Sequence, residues 1–422
     1  MARIYNTFEF IGEAVTPNDK SKLHRVDDYN GNIRHSLGLG ISKDKMNTQF
    51  LSMDGWIRKE NNTVRIFTKG ENGEKGKTEY VPFENRFDED VLDRATNLTK
   101  IVVDLEQDQE KKEEYMKLFF KIINIENRKD KTEDDLERLE EYKADFKALA
   151  TERYEFLSMY DVIVLLESVL QDDNYKGVKF RATGNASWST YNGKIYRNFV
   201  PSLIEIVDKD TPNKLEATVD IYFHKDSIED MGDEKKVYIN GFVSDYDRAS
   251  REDRFFPQQF VIDGSKLDFD NDLMSKYYDY LKGSFNVRGR NYYHLQCLTG
   301  IVNGAEILEG TEAVSYDTLT KDQQMQIDLG LSKLSDFAPK GEMIGEQINE
   351  IRIIKPLLDT QLFADGAVEF LPEDEFASLI IQDDKPVDLK DLRVNKEEKA
   401  NKEEPKQEAG GLEDELSKLL QL

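Results

Sequence analysis

The dipeptide Asn192-Gly193 lies inside the stretch KFRATGNASWSTYNGKIYRNFVPS, between two runs in which polar and apolar residues alternate. A two-residue type I′ turn needs positive φ at both central positions, and Asn-Gly supplies that more readily than almost any other pair. The dipeptide therefore predicts a β-hairpin with Tyr191 opposite Lys194, and that one pairing sets the register of the rest. Tyr191, Lys194, Ser189, Tyr196, Ser187 and Asn198 then share one face, while Thr190, Ile195, Trp188, Arg197, Ala186 and Phe199 share the other. The second face is mostly apolar and should turn inward. The first offers two tyrosines, a lysine and small polar groups to solvent.

The charge of this stretch sets it apart. Lys179, Arg181, Lys194 and Arg197 fall in it without a single Asp or Glu, in a chain of formal net charge -26 with 84 acids among 422 residues. A second acid-free stretch, Tyr280 to Ala305, carries Lys282, Arg288, Arg290 and the run Tyr292, Tyr293, His294. Cations interleaved with aromatics suit single-stranded nucleic acid, because cations neutralise phosphates while exposed rings stack on bases with little regard to sequence. In so acidic a chain the positive surface must be concentrated in a groove to act within a Debye length of about 8 Å. The N-terminal region holds a thinner set: Arg34 and His35 ahead of LGLGIS, then Trp56, Arg58, Arg65 and Phe67 on adjacent expected strands.

Other chemistries find little support. The single cysteine, Cys297, excludes an internal disulfide and fits a reducing compartment, and it reads most simply as a small buried apolar residue. Four dispersed histidines with no second cysteine make a structural zinc site a poor reading. DFDNDLMSKYYD begins like a calcium loop, but its sixth position is Leu273 where that loop needs glycine, so it reads as a helix start. GENGEKGKT has Glu71 where a phosphate loop needs its first glycine, and it leads into the strand-like EYVPF. No catalytic spacing of Ser, His, Asp or Cys emerges, so the expectation is a binding protein without a catalytic site or cofactor. No apolar run of membrane-spanning length and no signal-type N-terminus appear, which points to a cytoplasmic protein with no membrane partner.

The order of the patterns predicts a mainly β architecture with an α insertion. Residues 1–106 read as strands, among them IYNTFEFIGEAV, RHSLGLGIS, TQFLSMDGWIR, TVRIFTK and a closing KIVVDLE. Residues 107–172 switch to helical periodicity. There EDDLERLEEYKADFKALATERY reads as a solvated acidic helix, and SMYDVIVLLESVL as a core helix that Ser158 caps, with Val162, Leu166, Val169 and Leu170 on one face. Strands resume over 173–382, with a helix near LMSKYYDYL. The pattern apolar-x-apolar-x-Gly recurs at Phe8-Phe10-Gly12, Phe180-Ala182-Gly184 and Val237-Ile239-Gly241. A strand glycine marks a bulge or tight bend, the device that curls a small sheet into a barrel. Five curled strands with a helix between two of them describe an OB-fold, and the pattern predicts tandem OB-fold-like β-barrels.

After about Asp383 the chain becomes polar and charged, as a disordered acidic tail would, and it ends in LEDELSKLLQL. Helical spacing puts Leu412, Leu416, Leu419 and Leu420 on one face behind an acidic first turn of Glu413, Asp414 and Glu415. A short stripe of this kind cannot bury itself, so it reads as a docking peptide for a partner's groove.

FEFIGEAV, VYINGFVSDY, the basic and aromatic hairpin KFRATGNASWSTYNGKIYRNF and the terminal GGLEDELSKLLQL together resemble the single-stranded DNA-binding proteins of replication, in particular those of phages. The resemblance implies OB-fold cores that hold DNA unpaired in replication or recombination, and a tail that recruits replication or recombination proteins. On that reading Tyr191, Lys194 and Tyr196 form the contact face, helped by Lys179, Arg181, Trp188, Arg197, Arg288, Arg290, Tyr292 and Tyr293, with Arg34, Trp56 and Arg58 in the first unit. The competing expectation is a structural or assembly protein, such as a virion component or scaffold, whose strand-rich domains pack against other subunits.

Overall fold

The computed structural model describes residues 5–381 outside 45, 69–75, 127, 129, 150, 192–193, 248–249, 359–361 and all but two positions of 308–343. The terminal leucines 412, 416, 419 and 420 lie outside the described residues. The chain starts with β1 (Thr7–Val15), β2 (His24–Tyr29), β3 (Asn32–Leu37), β4 (Gly40–Ser42), β5 (Thr48–Phe50), β6 (Asp54–Ile57), β7 (Thr63–Thr68) and β8 (Lys77–Pro82). Then come α1 (Glu89–Arg94), β9 (Ile101–Asp104), α2 (Gln109–Glu126), α3 (Glu133–Ala148), β10 (Arg153–Phe156) and α4 (Met159–Gln171). The strand-rich remainder comprises β11 (Lys179–Tyr191), β12 (Lys194–Val207), β13 (Lys214–Phe223), β14 (Ile228–Met231), β15 (Lys236–Asp247), β16 (Glu252–Asp263), α5 (Asp272–Gly283), β17 (Asn291–Ile307), β18 (Ile344–Pro356), β19 (Val368–Pro372) and α6 (Glu373–Leu379).

A closed five-stranded barrel dominates the C-terminal half. β13 pairs with β15, β15 with β16, β16 with β18, β18 with β17, and β17 returns to β13. All these pairings are antiparallel except β16 with β18, which meet in parallel at Val261 and Arg352. Strand alternation sends Val219, Ile221, Val237, Ile239, Phe260, Leu295 and Cys297 into the core. Burial pushes the Cys297 thiol well above its ordinary pKa, so it behaves as an inert apolar side chain. The mainly β architecture and a curled five-stranded barrel were expected from the sequence, which placed a helix between two strands of such a barrel; here α5 lies between the third and fourth.

The N-terminal strands are joined to this barrel through β1, whose two edges pair with β11 and β13. β11 continues to β12, and β12 pairs in parallel with β9, which carries β10. One hydrophobic core runs from Phe8 through the helix α4 to Phe363, so residues 1–106 and 173–382 share both a sheet and a core. Phe8 and Phe10 on β1 cluster with Phe199 on β12, with centroids 4.6–5.4 Å apart. The strands β12, β11, β1, β4 and β5 pair in that order, and past β5 the Ser52 N–H donates to the Phe199 carbonyl at 2.8 Å.

The helices behave according to their composition. In α3 the Thr132 side chain and Asp135 form a capping box, and most of its acidic surface faces solvent. α4 differs from the one-sided helix expected from its spacing. Ser158 caps it as anticipated, but Ile163, Val164 and Leu165 are as buried as Val162, Leu166 and Val169. A helix this apolar all round is an internal element, and here β3 and β6 pack on it together with β9 and β10.

Candidate nucleic-acid interface

The β11–β12 hairpin adopts the register that Asn192-Gly193 dictates. Tyr191 pairs with Lys194, Ser189 with Tyr196, Ser187 with Asn198 and Trp188 with Arg197. Alternation then separates the faces as expected: Trp188, Phe199 and Ala186 are buried, while Tyr191 is 65% and Tyr196 44% exposed. Lys194 is exposed between the two rings, and among the described residues no carboxylate lies within ion-pair distance of it. Ser189 and Asn198 bond across the strands at 2.9 Å and stiffen this outer face.

The remaining predicted residues divide by their surroundings. Trp188 is 3% exposed and donates its indole N–H to Gln258, so its ring belongs to the core rather than to the stacking face. Lys179 donates to the carbonyls of Lys209 and Thr211, at 2.6 Å each. Arg181 reaches Glu205 and Glu9, which compensate its charge at the base of the hairpin. Tyr292 stacks on Phe376 with centroids 3.8 Å apart and planes at 8°, and Tyr293 donates to the Arg288 carbonyl. Both tyrosines are thus engaged in packing. Arg288 and Arg290 are exposed on the loop after α5.

In the N-terminal region, Arg34 and Trp56 are cross-strand partners on β3 and β6. Arg34 forms two hydrogen bonds with Asp54, at 2.8 and 3.0 Å. Trp56 is 44% exposed and lies 5.6 Å from the ring of Tyr29, itself 49% exposed. The other face of this small sheet rests on α4: a Cβ on Gly55 would lie 2.6 Å from the Tyr160 backbone, so β6 can approach the helix only as glycine. Arg58 is exposed just past β6.

An open cleft of about 790 Å³ brings the two regions together. Its lining includes Trp56 and Asp54 from β6, Ser187, Ser189 and Asn198 from the hairpin, and Tyr246 at the end of β15. Tyr246 is 45% exposed. Sequence reasoning missed it and Tyr29; the signal for Tyr246 was masked by Asp245 and Asp247 on either side. These two aspartates and Asp54 also line the cleft. Each does local work: Asp245 accepts from the Trp188 and Tyr246 N–H groups at 2.7 Å, Asp247 accepts from the Ser250 N–H at 2.8 Å, and Asp54 holds Arg34.

Arg197 has an unusual environment. It points to the inner side of the hairpin, donates to Asn349 on β18, and keeps a buried Nη1 with no hydrogen-bond partner. Burial lowers its pKa, and among the described residues no carboxylate forms an ion pair with it. A desolvated guanidinium without a counter-charge favours an incoming anion. No protein-family model matches this chain, and no curated protein does either.

Proposed function

We propose that this chain is a non-enzymatic, sequence-tolerant single-stranded DNA-binding protein of replication or recombination, which recruits partner proteins through its acidic C-terminal tail. The observation that carries the proposal is that two exposed rings from distant segments, Trp56 with Tyr29 beside it and Tyr246, line one open cleft, to which the hairpin that exposes Tyr191 and Tyr196 contributes Ser187, Ser189 and Asn198. Exposed rings in such a place serve as stacking platforms for bases, and stacking tolerates sequence because every base has a π-face. Lys194, exposed on the same face as the two tyrosines, would receive phosphates. The barrel supports the same reading. Numbered along the chain, its strands close in the order 1-2-3-5-4, with α5 between the third and fourth, and we read this as an OB-fold, a fold that binds oligonucleotides across its second and third strands. Tyr246 lies at the end of the second of these strands.

Fluorescence-anisotropy titration of labelled oligo-dT, with matched duplex as control, tests the proposal at low and moderate salt. The expected result is binding to the single strand that weakens as salt rises, because phosphate contacts release counterions. Absence of binding at low salt would remove the proposal. Tyr191→Ala combined with Tyr196→Ala is expected to weaken the same titration at least about tenfold while leaving the thermal melt in place, since each stacked base contributes about 1–3 kcal/mol. Unchanged affinity would take those two rings out of the interface.

A second reading, a structural or assembly protein, is favoured by the three carboxylates in the cleft, which oppose a phosphate chain but accept hydrogen bonds from a protein partner. Binding that is indifferent to oligonucleotides and present for another subunit would decide for it.

A further inference from the structure

Ser52, Asp54 and Trp56 all line the open cleft, at alternate positions leading into and along β6. Alternation sets side chains two residues apart on the same face of an extended strand, about 7 Å from each other. These three carry different chemistry. Trp56 offers a ring that is 44% exposed. Arg34, its cross-strand partner, donates from Nε and Nη2 to Asp54, and both bonds fall on Oδ1. Among the described residues no group donates to Oδ2, and the Asp54 side chain is 39% exposed, so this oxygen keeps its lone pairs for an incoming donor. Ser52 is the converse. Its Oγ accepts from the Phe199 N–H at 3.1 Å, and its hydroxyl proton meets no acceptor among the described residues. A hydroxyl in that state turns to donate to an acceptor that enters. Asp245 and Asp247, also in the lining, are engaged by the backbone N–H groups of Trp188, Tyr246 and Ser250.

Base edges meet a hydroxyl donor beside a carboxylate differently. Guanine presents its O6 acceptor next to two adjacent donors, N1–H and N2–H. Thymine sets one N–H between two carbonyls, which a carboxylate repels, while adenine and cytosine place a ring-nitrogen acceptor beside their amine. Guanine alone therefore offers two neighbouring donors to the carboxylate and, next to them, an acceptor to the hydroxyl.

We infer, resting on the single-stranded DNA reading, that this stretch is a guanine-preferring position within an otherwise sequence-tolerant cleft. The base stacks on Trp56, its N1–H and N2–H donate to Asp54, and its O6 accepts from the Ser52 hydroxyl. Arg34 is a positioning residue, since its hold on Oδ1 fixes the carboxylate against the small sheet. The charge that repels the phosphate chain thus attracts the edge of one base.

Anisotropy titration at low salt tests this with three labelled strands: oligo-dT, the same strand with one internal dG, and the same strand with deoxyinosine in that place. The dG strand is expected to bind at least about fivefold more tightly than oligo-dT, as a well-matched pair of hydrogen bonds to a base edge discriminates. Deoxyinosine keeps O6 and N1–H but lacks the amine, so its strand should fall between the two. This comparison uses the unaltered protein and is independent of how any variant folds. In Asp54→Asn the amide oxygen can still accept from Arg34 while the amide N–H groups face the base, so the dG and dT strands should bind within about twofold of each other. Equal affinity for the dT and dG strands, deoxyinosine binding as tightly as dG, or a dG preference that persists in Asp54→Asn each overturns the inference while leaving single-strand binding in place. Absence of binding to all three strands overturns the proposed function, and the inference with it.

Discussion

Asp161→Ala is expected to lower the stability of the fold by about 3–5 kcal/mol, the usual result of leaving a buried charge without its partner. Asp161 and Arg86 have side chains only 1% and 7% exposed. Arg86 Nε and Nη2 donate to the two carboxylate oxygens at 2.8 and 2.9 Å, and Nη1 donates to the Phe83 carbonyl at 2.8 Å. The guanidinium also lies 3.8 Å from the Phe83 ring centroid and 4.3 Å from that of Phe87. Truncating Asp161 leaves this cation dry and uncompensated. The consequence reaches the cleft, because Asp161 is in the first turn of α4 and its neighbour Tyr160 abuts Gly55 on β6, the strand that holds Trp56. Urea unfolding should show the loss as a lower midpoint at similar slope. Arg86→Met with Asp161→Leu should recover most of it, since an apolar pair leaves no charge behind. A loss below about 1 kcal/mol for Asp161→Ala would show that water reaches the pair, contrary to its burial.

The features that could be read from the sequence are those set by neighbours along the chain. Asn192-Gly193 fixed a register that alternation carried through to Ala186 and Phe199, because each pairing follows from the one before it. The strand glycines likewise mark sites of close backbone approach. A Cβ on Gly184 would meet the Val200 carbonyl oxygen at 2.1 Å, beside a bulge between Thr183 and Gly184, and one on Gly12 would meet the Ser42 carbonyl oxygen at 1.9 Å. What could not be read is the long-range pairing. Arg181 looks free in an acid-free stretch, yet Glu205 and Glu9 come to it from neighbouring strands. Tyr292 looks ready to stack on a base, yet Phe376, 84 residues further along, already covers it. An acid-free run in sequence is therefore not an acid-free surface, since a sheet brings in partners from either side. Tyr246 shows the converse, because a ring between two aspartates can still border the cleft once those carboxylates bind backbone N–H groups.

Trp56→Ala with Tyr246→Ala is expected to weaken oligo-dT binding at least about thirtyfold, the product of two stacking contributions near the lower end of the 1–3 kcal/mol range. Both rings line the cleft, one on β6 and the other at the tip of β15, so a strand that fills it meets both. Neither supports the core, since they are 44% and 45% exposed, and the variant should melt within a few degrees of the parent. The chain's only other tryptophan, Trp188, is buried, so quenching of intrinsic fluorescence on adding oligo-dT should come chiefly from Trp56 and should largely disappear in Trp56→Phe. The carboxylates of Asp54, Asp245 and Asp247 in the lining repel phosphates, so on the proposed reading bases would enter the cleft while the backbone would stay outside, toward Lys194. Salt and mutation then act on different parts of the complex: Lys194→Ala should flatten the salt dependence, while the two ring substitutions should lower affinity by the same factor at every salt concentration. If the ring variant instead changes the salt slope and leaves low-salt affinity intact, the strand runs elsewhere on the surface and the cleft is free for another partner.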